Sequence, residues 1–203
     1  VFASQVVQPY VTELGLKFIE SVYGPPSRYF HAIAGAPYFN LGALQTSEQL
    51  SSNQVLQAMT QSVERLPAVN RFEHNLALAQ WYGLQFLAYE GGADTFGPGS
   101  IQAKKDASLD PRMQSICRQY LQTWFEHGGG LFMWFTAGAG NWDTKYGSWE
   151  LSTDLSVRDT PKIRCIDAQR ASPRPAISHR NQIPGTLDAL AYVGNLPPSS
   201  DAS

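Results

Sequence analysis

Glu90 is the residue whose type and placement best suit it to carry chemistry. It follows Leu84-Gln85-Phe86-Leu87-Ala88-Tyr89, a short and largely apolar run that reads as a buried strand, and it precedes Gly91-Gly92. A carboxylate at the C-terminal end of a parallel strand is held rigidly yet opens onto the edge where loops converge. The two glycines are expected to remove side chains that would crowd a ligand. Such a carboxylate can act as a nucleophile or base in glycosyl transfer, bonding to or stabilising an oxocarbenium-like transition state. The same position also suits a structural ion pair or a helix cap.

Other polar and aromatic residues gather at expected strand ends. Gln5 closes the first strand, Tyr38 and Asn40 follow the second, and Trp142 and Asp143 follow the fourth. The histidines are less promising. His31 lies inside a strand, His74 and His127 on or at the ends of helices, and His179 in the tail. They share no metal-ligand spacing, and no serine or cysteine elbow accompanies them. No metal and no cofactor are therefore expected. Cys117 and Cys165 show no CxxC spacing. They read as two buried free thiols, with a disulfide as the alternative.

These residues must be positioned by an alternating chain. Val1 to Ser4 reads as a strand end, and Tyr10 to Tyr23 as a helix on which Val11, Leu14, Phe18 and Val22 recur at helical spacing. Tyr29 to Gly35 is a second strand. Ser51 offers an N-cap for a long helix that Pro67 breaks or kinks, and a further helix runs from Phe72 to Trp81. After the strand at Leu84–Tyr89 comes a glycine-rich loop, then a helix opened by Asp110-Pro111 and running to about Glu126. Gly128-Gly129-Gly130 turns the chain into a fourth strand, Leu131 to Thr136.

Strand-helix alternation of this kind implies parallel strands with crossover helices. A doubly wound sheet and a barrel both satisfy it. No GxGxxG or GxxxxGKS follows any strand, which removes the main support for a nucleotide-binding sheet. Four such units make half of an eightfold barrel. The expected fold class is thus α/β, a (β/α)8 TIM barrel of which residues 1–155 form the second half. Residues 156–203 then read as a linker and the start of a β-rich module.

Tyr89-Glu90-Gly91-Gly92 at one strand end, with Tyr146-Gly147-Ser148-Trp149 after the next strand, resembles the C-terminal half of clan-A glycoside hydrolase-like barrels. More narrowly the chain is similar to large secreted proteins described as cellulose-binding. The resemblance covers about residues 1–155 and makes the four strands the fifth to eighth of the barrel. It implies that Glu90 is the nucleophile of a retaining glycosidase. It implies that Tyr38 hydrogen-bonds that carboxylate and that Trp142 stacks on sugar, with Asn40, Asp143 and Gln5 lining the cleft. Ile183-Pro184-Gly185 is similar to the lead-in to a carbohydrate-binding β-sandwich.

A retaining mechanism also needs a carboxylic acid about 5 Å from the nucleophile. The resemblance places it at the end of the fourth barrel strand, before Val1. Glu13, Glu20, Glu64, Glu73 and Glu126 lie on expected helices, Glu48 leads into one, and Glu150 lies beyond the last strand. Asp94 and Asp143 sit in strand-end loops without the expected position. The implied partners are carbohydrate and a missing N-terminal half of the barrel. A non-catalytic carbohydrate-binding or structural barrel is the alternative.

Composition agrees with a packed, nearly neutral domain. Of 203 residues, 43% are hydrophobic and 12% aromatic, and the formal net charge is -2, so a core is available and disorder is not expected. No lysine or arginine cluster suits phosphates, which argues against nucleic acid. No apolar run is long enough to span a bilayer. Both ends read as cut, and the resemblance implies an extracellular or cell-surface location.

Overall fold

A computed structural model of the chain describes residues 1–138 and 140–171. The strand-helix order follows the hydrophobic periodicity closely. β1 (Phe2–Ala3), β2 (Ala32–Gly35) and β4 (Gln85–Ala88) form one parallel sheet in the order β1-β2-β4. Phe2 faces Ile33 in register, and Ile33 faces Phe86. β2 is buried along its whole length, as a strand covered on both faces must be. A second, two-stranded parallel sheet joins β3 (Phe39–Asn40) to β5 (Ala93–Asp94).

The helices lie between these strands. α1 spans Pro9–Tyr23, α2 Ser52–Val69, α3 Phe72–Trp81, α4 Ile101–Leu109, α5 Arg112–Glu126 and α6 Pro161–Ala171. The Ser51 hydroxyl accepts from the Gln54 N–H while the Gln54 side chain accepts from the Ser51 N–H, a capping box that fixes the start of α2. α2 continues through Pro67, which sits in its last turn. α5 lays Met113, Cys117, Tyr120 and Trp124 into the main core beside Phe39, Phe72 and Phe86. No helix among the described residues is long and apolar enough to cross a membrane.

The expectation of half a TIM barrel is overturned. The described residues form parallel sheets of three and two strands, and no eight-stranded barrel is seen. Alternation dictates parallel strands and crossover helices but leaves closure undetermined. The segment expected as a fourth strand joins β4 by a single bridge, Ala88 to Phe132, rather than by a ladder. Two further differences concern helices. Residues 101–109, to which the sequence assigned no element, form α4, and part of the stretch read as a polar linker folds as α6 against α5. Cys117 and Cys165 are disulfide-bonded, joining these two helices in place of two free thiols. The β-rich module expected after Gln182 lies outside the described residues.

Candidate functional site

β2 and β4 present their C-terminal ends side by side, and the loops beyond them are tied together. The Tyr89 N–H donates to the Gly35 carbonyl at 3.1 Å, which extends the pairing one residue past β4 and delivers Glu90 at the sheet edge. The Phe39 N–H donates to the Gly92 carbonyl at 3.1 Å, and Asn40 then faces Asp94 in the second sheet. This brings the Tyr38 phenol within electrostatic reach of the Glu90 carboxylate. Burial, then the charges of Glu90 and Asp94, push the Tyr38 hydroxyl well above its ordinary value. It therefore stays protonated as a donor at any pH at which the protein would work.

Asp94 stands beside this pair with its oxygens committed. The Phe96 N–H and the Trp149 indole donate to Oδ1 at 2.8 and 2.9 Å, and the Gln45 amide donates to Oδ2 at 3.2 Å. An oxygen pair that accepts from several donors is suited to hold loops rather than to deliver a proton. Behind it, the buried Lys104 ammonium donates to the carbonyls of Gln45 and Gly97, both at 2.9 Å. Burial pushes Lys104 below its ordinary value, with Asp94 opposing that shift. The lysine thus staples the loop after β3 to the loop after β5.

Gly91 and Gly92 make room for protein rather than for a ligand. A Cβ on Gly91 would lie 2.7 Å from the Phe132 ring and 2.8 Å from the Tyr120 hydroxyl. Gly92 has φ +132°, and its Cβ would lie 2.7 Å from the Trp134 indole. Tyr120, fully buried, donates to the Pro37 carbonyl at 2.8 Å and lies against Gly91, whose added Cβ would meet its hydroxyl. It links the loops after β2 and β4, which carry Tyr38 and Glu90.

The other expected site residues are placed differently. Asn40 caps the turn after β3, accepting from the Gly42 N–H at 2.9 Å, and lines a cavity of about 390 Å³ together with Tyr38. Trp142 is buried, donates to Glu150 at 2.8 Å and lies under the Lys162 ammonium at 4.8 Å, so its ring faces protein. Asp143 is exposed and pairs with Lys105 at 2.6 Å. Gln5 is exposed just past β1. Neither Trp142, Asp143 nor Gln5 has a bond to Glu90 among the described residues.

Several residues were not singled out from the sequence. Phe96 and Tyr146 are 40% and 58% exposed with ring centroids 6.5 Å apart, an aromatic pair on the loop after β5 and its neighbour. Phe96 gave no signal beyond an aromatic in a strand-end loop, and Tyr146 and Trp149 entered only through the Tyr146-Gly147-Ser148-Trp149 motif, with no role assigned. Gln45 and Lys104 gave none, because their roles depend on Asp94 being brought to them. No group of three or more His, Cys, Asp or Glu residues that would hold a metal occurs among the described residues. No family model, curated protein or solved structure matches the chain.

Proposed function

We propose that the C-terminal edge of the sheet handles carbohydrate, with Glu90 as the nucleophile of a retaining glycosyl transfer. The observation that carries this reading is the placing of Glu90 at the sheet edge by the Tyr89-to-Gly35 bond, with the Tyr38 phenol in electrostatic reach of its carboxylate. A phenol that stays protonated can donate to one carboxylate oxygen and leave the other free to attack. In the first step a Glu90 oxygen bonds to the anomeric carbon as the bond to the leaving oxygen breaks, and the electron pair departs with that oxygen. Water then attacks the anomeric carbon, its proton passing to the conjugate base of the group that protonated the leaving oxygen, which releases the sugar and regenerates the carboxylate. The exposed Phe96–Tyr146 pair offers apolar faces of the kind that pack against pyranose rings.

The leaving oxygen of an ordinary glycoside must be protonated. Among the described residues no carboxyl group hydrogen-bonds Glu90, and Asp94 is held by three donors. The acid is accordingly proposed to lie outside the described residues. The same observation favours a second reading, in which this edge binds carbohydrate without cleaving it. The disulfide between Cys117 and Cys165 supports an oxidising, extracellular setting for either.

Leaving groups that need no proton separate the two readings. A panel of 2-deoxy-2-fluoro glycosides bearing dinitrophenolate should label Glu90, seen by peptide mass mapping, and Glu90→Gln should abolish the label. Oligosaccharide binding without label or dinitrophenolate release would leave the binding reading in place. Absence of binding to the whole panel would sink both.

A further inference from the structure

The cavity of about 390 Å³ beside Tyr38 belongs to no step described above, and its lining points to a kind of sugar. Its volume falls in the range of about 300–1,000 Å³ usual for small-molecule sites. Tyr38 joins it to Glu90, since the same side chain lines the cavity and stands within electrostatic reach of that carboxylate. Leu44 and Val69 supply apolar surface, and Asn40 and Gln61 supply amides. Arg65 is the one cationic residue in the lining. Its Nε donates to the Gln61 carbonyl at 3.2 Å, one turn back along α2. Its two terminal amino groups have no acceptor and no ion-pair partner among the described residues.

A cavity that mixes apolar side chains, amides and one unpaired guanidinium suits a ligand that is mostly carbohydrate-like and carries a single planar anion. Arginine's fork matches a carboxylate in a two-point geometry. A phosphate monoester, with up to two charges, would call for more positive charge than one arginine supplies. We propose that this cavity is a subsite for a uronic acid residue of an acidic oligosaccharide, with Arg65 as the counter-ion of its carboxylate. The inference rests on the carbohydrate reading of the Glu90 edge and deepens it. Tyr38 then has two duties, orienting Glu90 and closing one side of the uronate subsite.

The test is calorimetric titration with neutral cello- and xylotriose against tri-galacturonate and a glucuronate-bearing xylotriose. At least ten-fold tighter binding of an acidic trisaccharide is expected, and Arg65→Gln should reduce it to the neutral level while Arg65→Lys restores part of it. Arg65 is exposed on α2, so these variants should fold, which thermal melting checks. Equal binding of acidic and neutral trisaccharides, or acidic binding unchanged by Arg65→Gln, would overturn the proposal. If acidic trisaccharides bind in an Arg65-dependent way, yet the unaltered protein turns over no dinitrophenyl glycoside, the nucleophile assignment fails and the subsite stands.

Discussion

The phenol of Tyr38 lies within electrostatic reach of the carboxylate of Glu90, the two residues standing on the loops that follow β2 and β4. The two residues are 52 positions apart in a chain whose core strands are at most four residues long, so their meeting depends on register. Three bonds enforce it: Tyr89 to Gly35, Phe39 to Gly92, and Tyr120 to Pro37.

Removing that hydroxyl should weaken any chemistry at Glu90 without unfolding the protein. A hydrogen bond to a charged group is worth about 1.5–3 kcal/mol. Tyr38→Phe is therefore expected to lower kcat/KM on activated glycosides about ten- to a hundredfold. Thermal stability should change little, because the ring still packs. Steady-state kinetics on the purified variant would expose an unaltered rate, which would leave Tyr38 without a role at Glu90.

What the sequence made legible follows from which forces are local. The 3.6-residue period of α1 identifies a helix, yet the stripe at Val11, Leu14, Phe18 and Val22 is 46–59% exposed. The core takes Thr12, Glu13 and Leu16, with Glu13 paired to Lys17 at 2.6 Å. Periodicity shows that a helix exists; which face is covered is decided by its neighbours. β3 and β5 are two residues each and carry no period at all. Glu90 and Tyr38 were legible because a polar residue after an apolar run marks a strand end. The role of Gly91 and Gly92 was hidden, since the rings that fill their space come from residues 120–134. The disulfide was equally hidden, because nothing in the spacing of Cys117 and Cys165 selects pairing over burial.

Lys162 should give the stability of the fold a distinct pH dependence. Its Nζ is buried, donates to the carbonyls of Ser148 and Glu150, and lies over Trp142. Burial lowers its proton affinity from an ordinary 10.5 to about 7, with Glu150 opposing. Between those values the unfolded chain holds a proton that the folded chain lacks, so raising the pH favours the folded state. A neutral amine still has N–H groups enough for both carbonyls. Urea unfolding at about pH 6, 7.5 and 9.5 should show stability from this residue growing with pH across the window between the folded and unfolded values. The increment should be missing in Lys162→Met. Parallel curves for the two proteins would refute the assignment.

Reduction of the disulfide should cost more than its position near the end of the described chain suggests. Cys117 and Cys165 are separated by 48 residues, and closing a loop of that length constrains the unfolded chain by about 3–4 kcal/mol. The bond also pins α6 to α5 beside the contact from Arg164 to Gln114 at 3.1 Å. Unfolding midpoints measured with and without reductant should differ accordingly, and a Cys117→Ala/Cys165→Ala protein should match the reduced one. Coincident midpoints would mean that the bond does not form in solution.

Alanine at Gly91 or Gly92 distinguishes two reasons for having glycine after the candidate nucleophile. If the glycines clear space for a ligand, Gly91→Ala should leave stability intact and reduce affinity alone. The geometry argues otherwise, because the added methyl would meet Phe132 and Tyr120 rather than open space. Overpacking of this kind costs about 1–3 kcal/mol. Gly92→Ala adds the strain of φ +132° and displaces Trp134, whose indole donates to the Trp149 carbonyl at 3.1 Å. Trp149 in turn donates to Asp94, so the disturbance reaches the loops around Glu90 through two indoles. Both variants should therefore lose thermal stability and alter the near-ultraviolet circular dichroism of the buried aromatics, Gly92→Ala more than Gly91→Ala. Unchanged melting with weakened oligosaccharide binding would restore the ligand-clearance explanation.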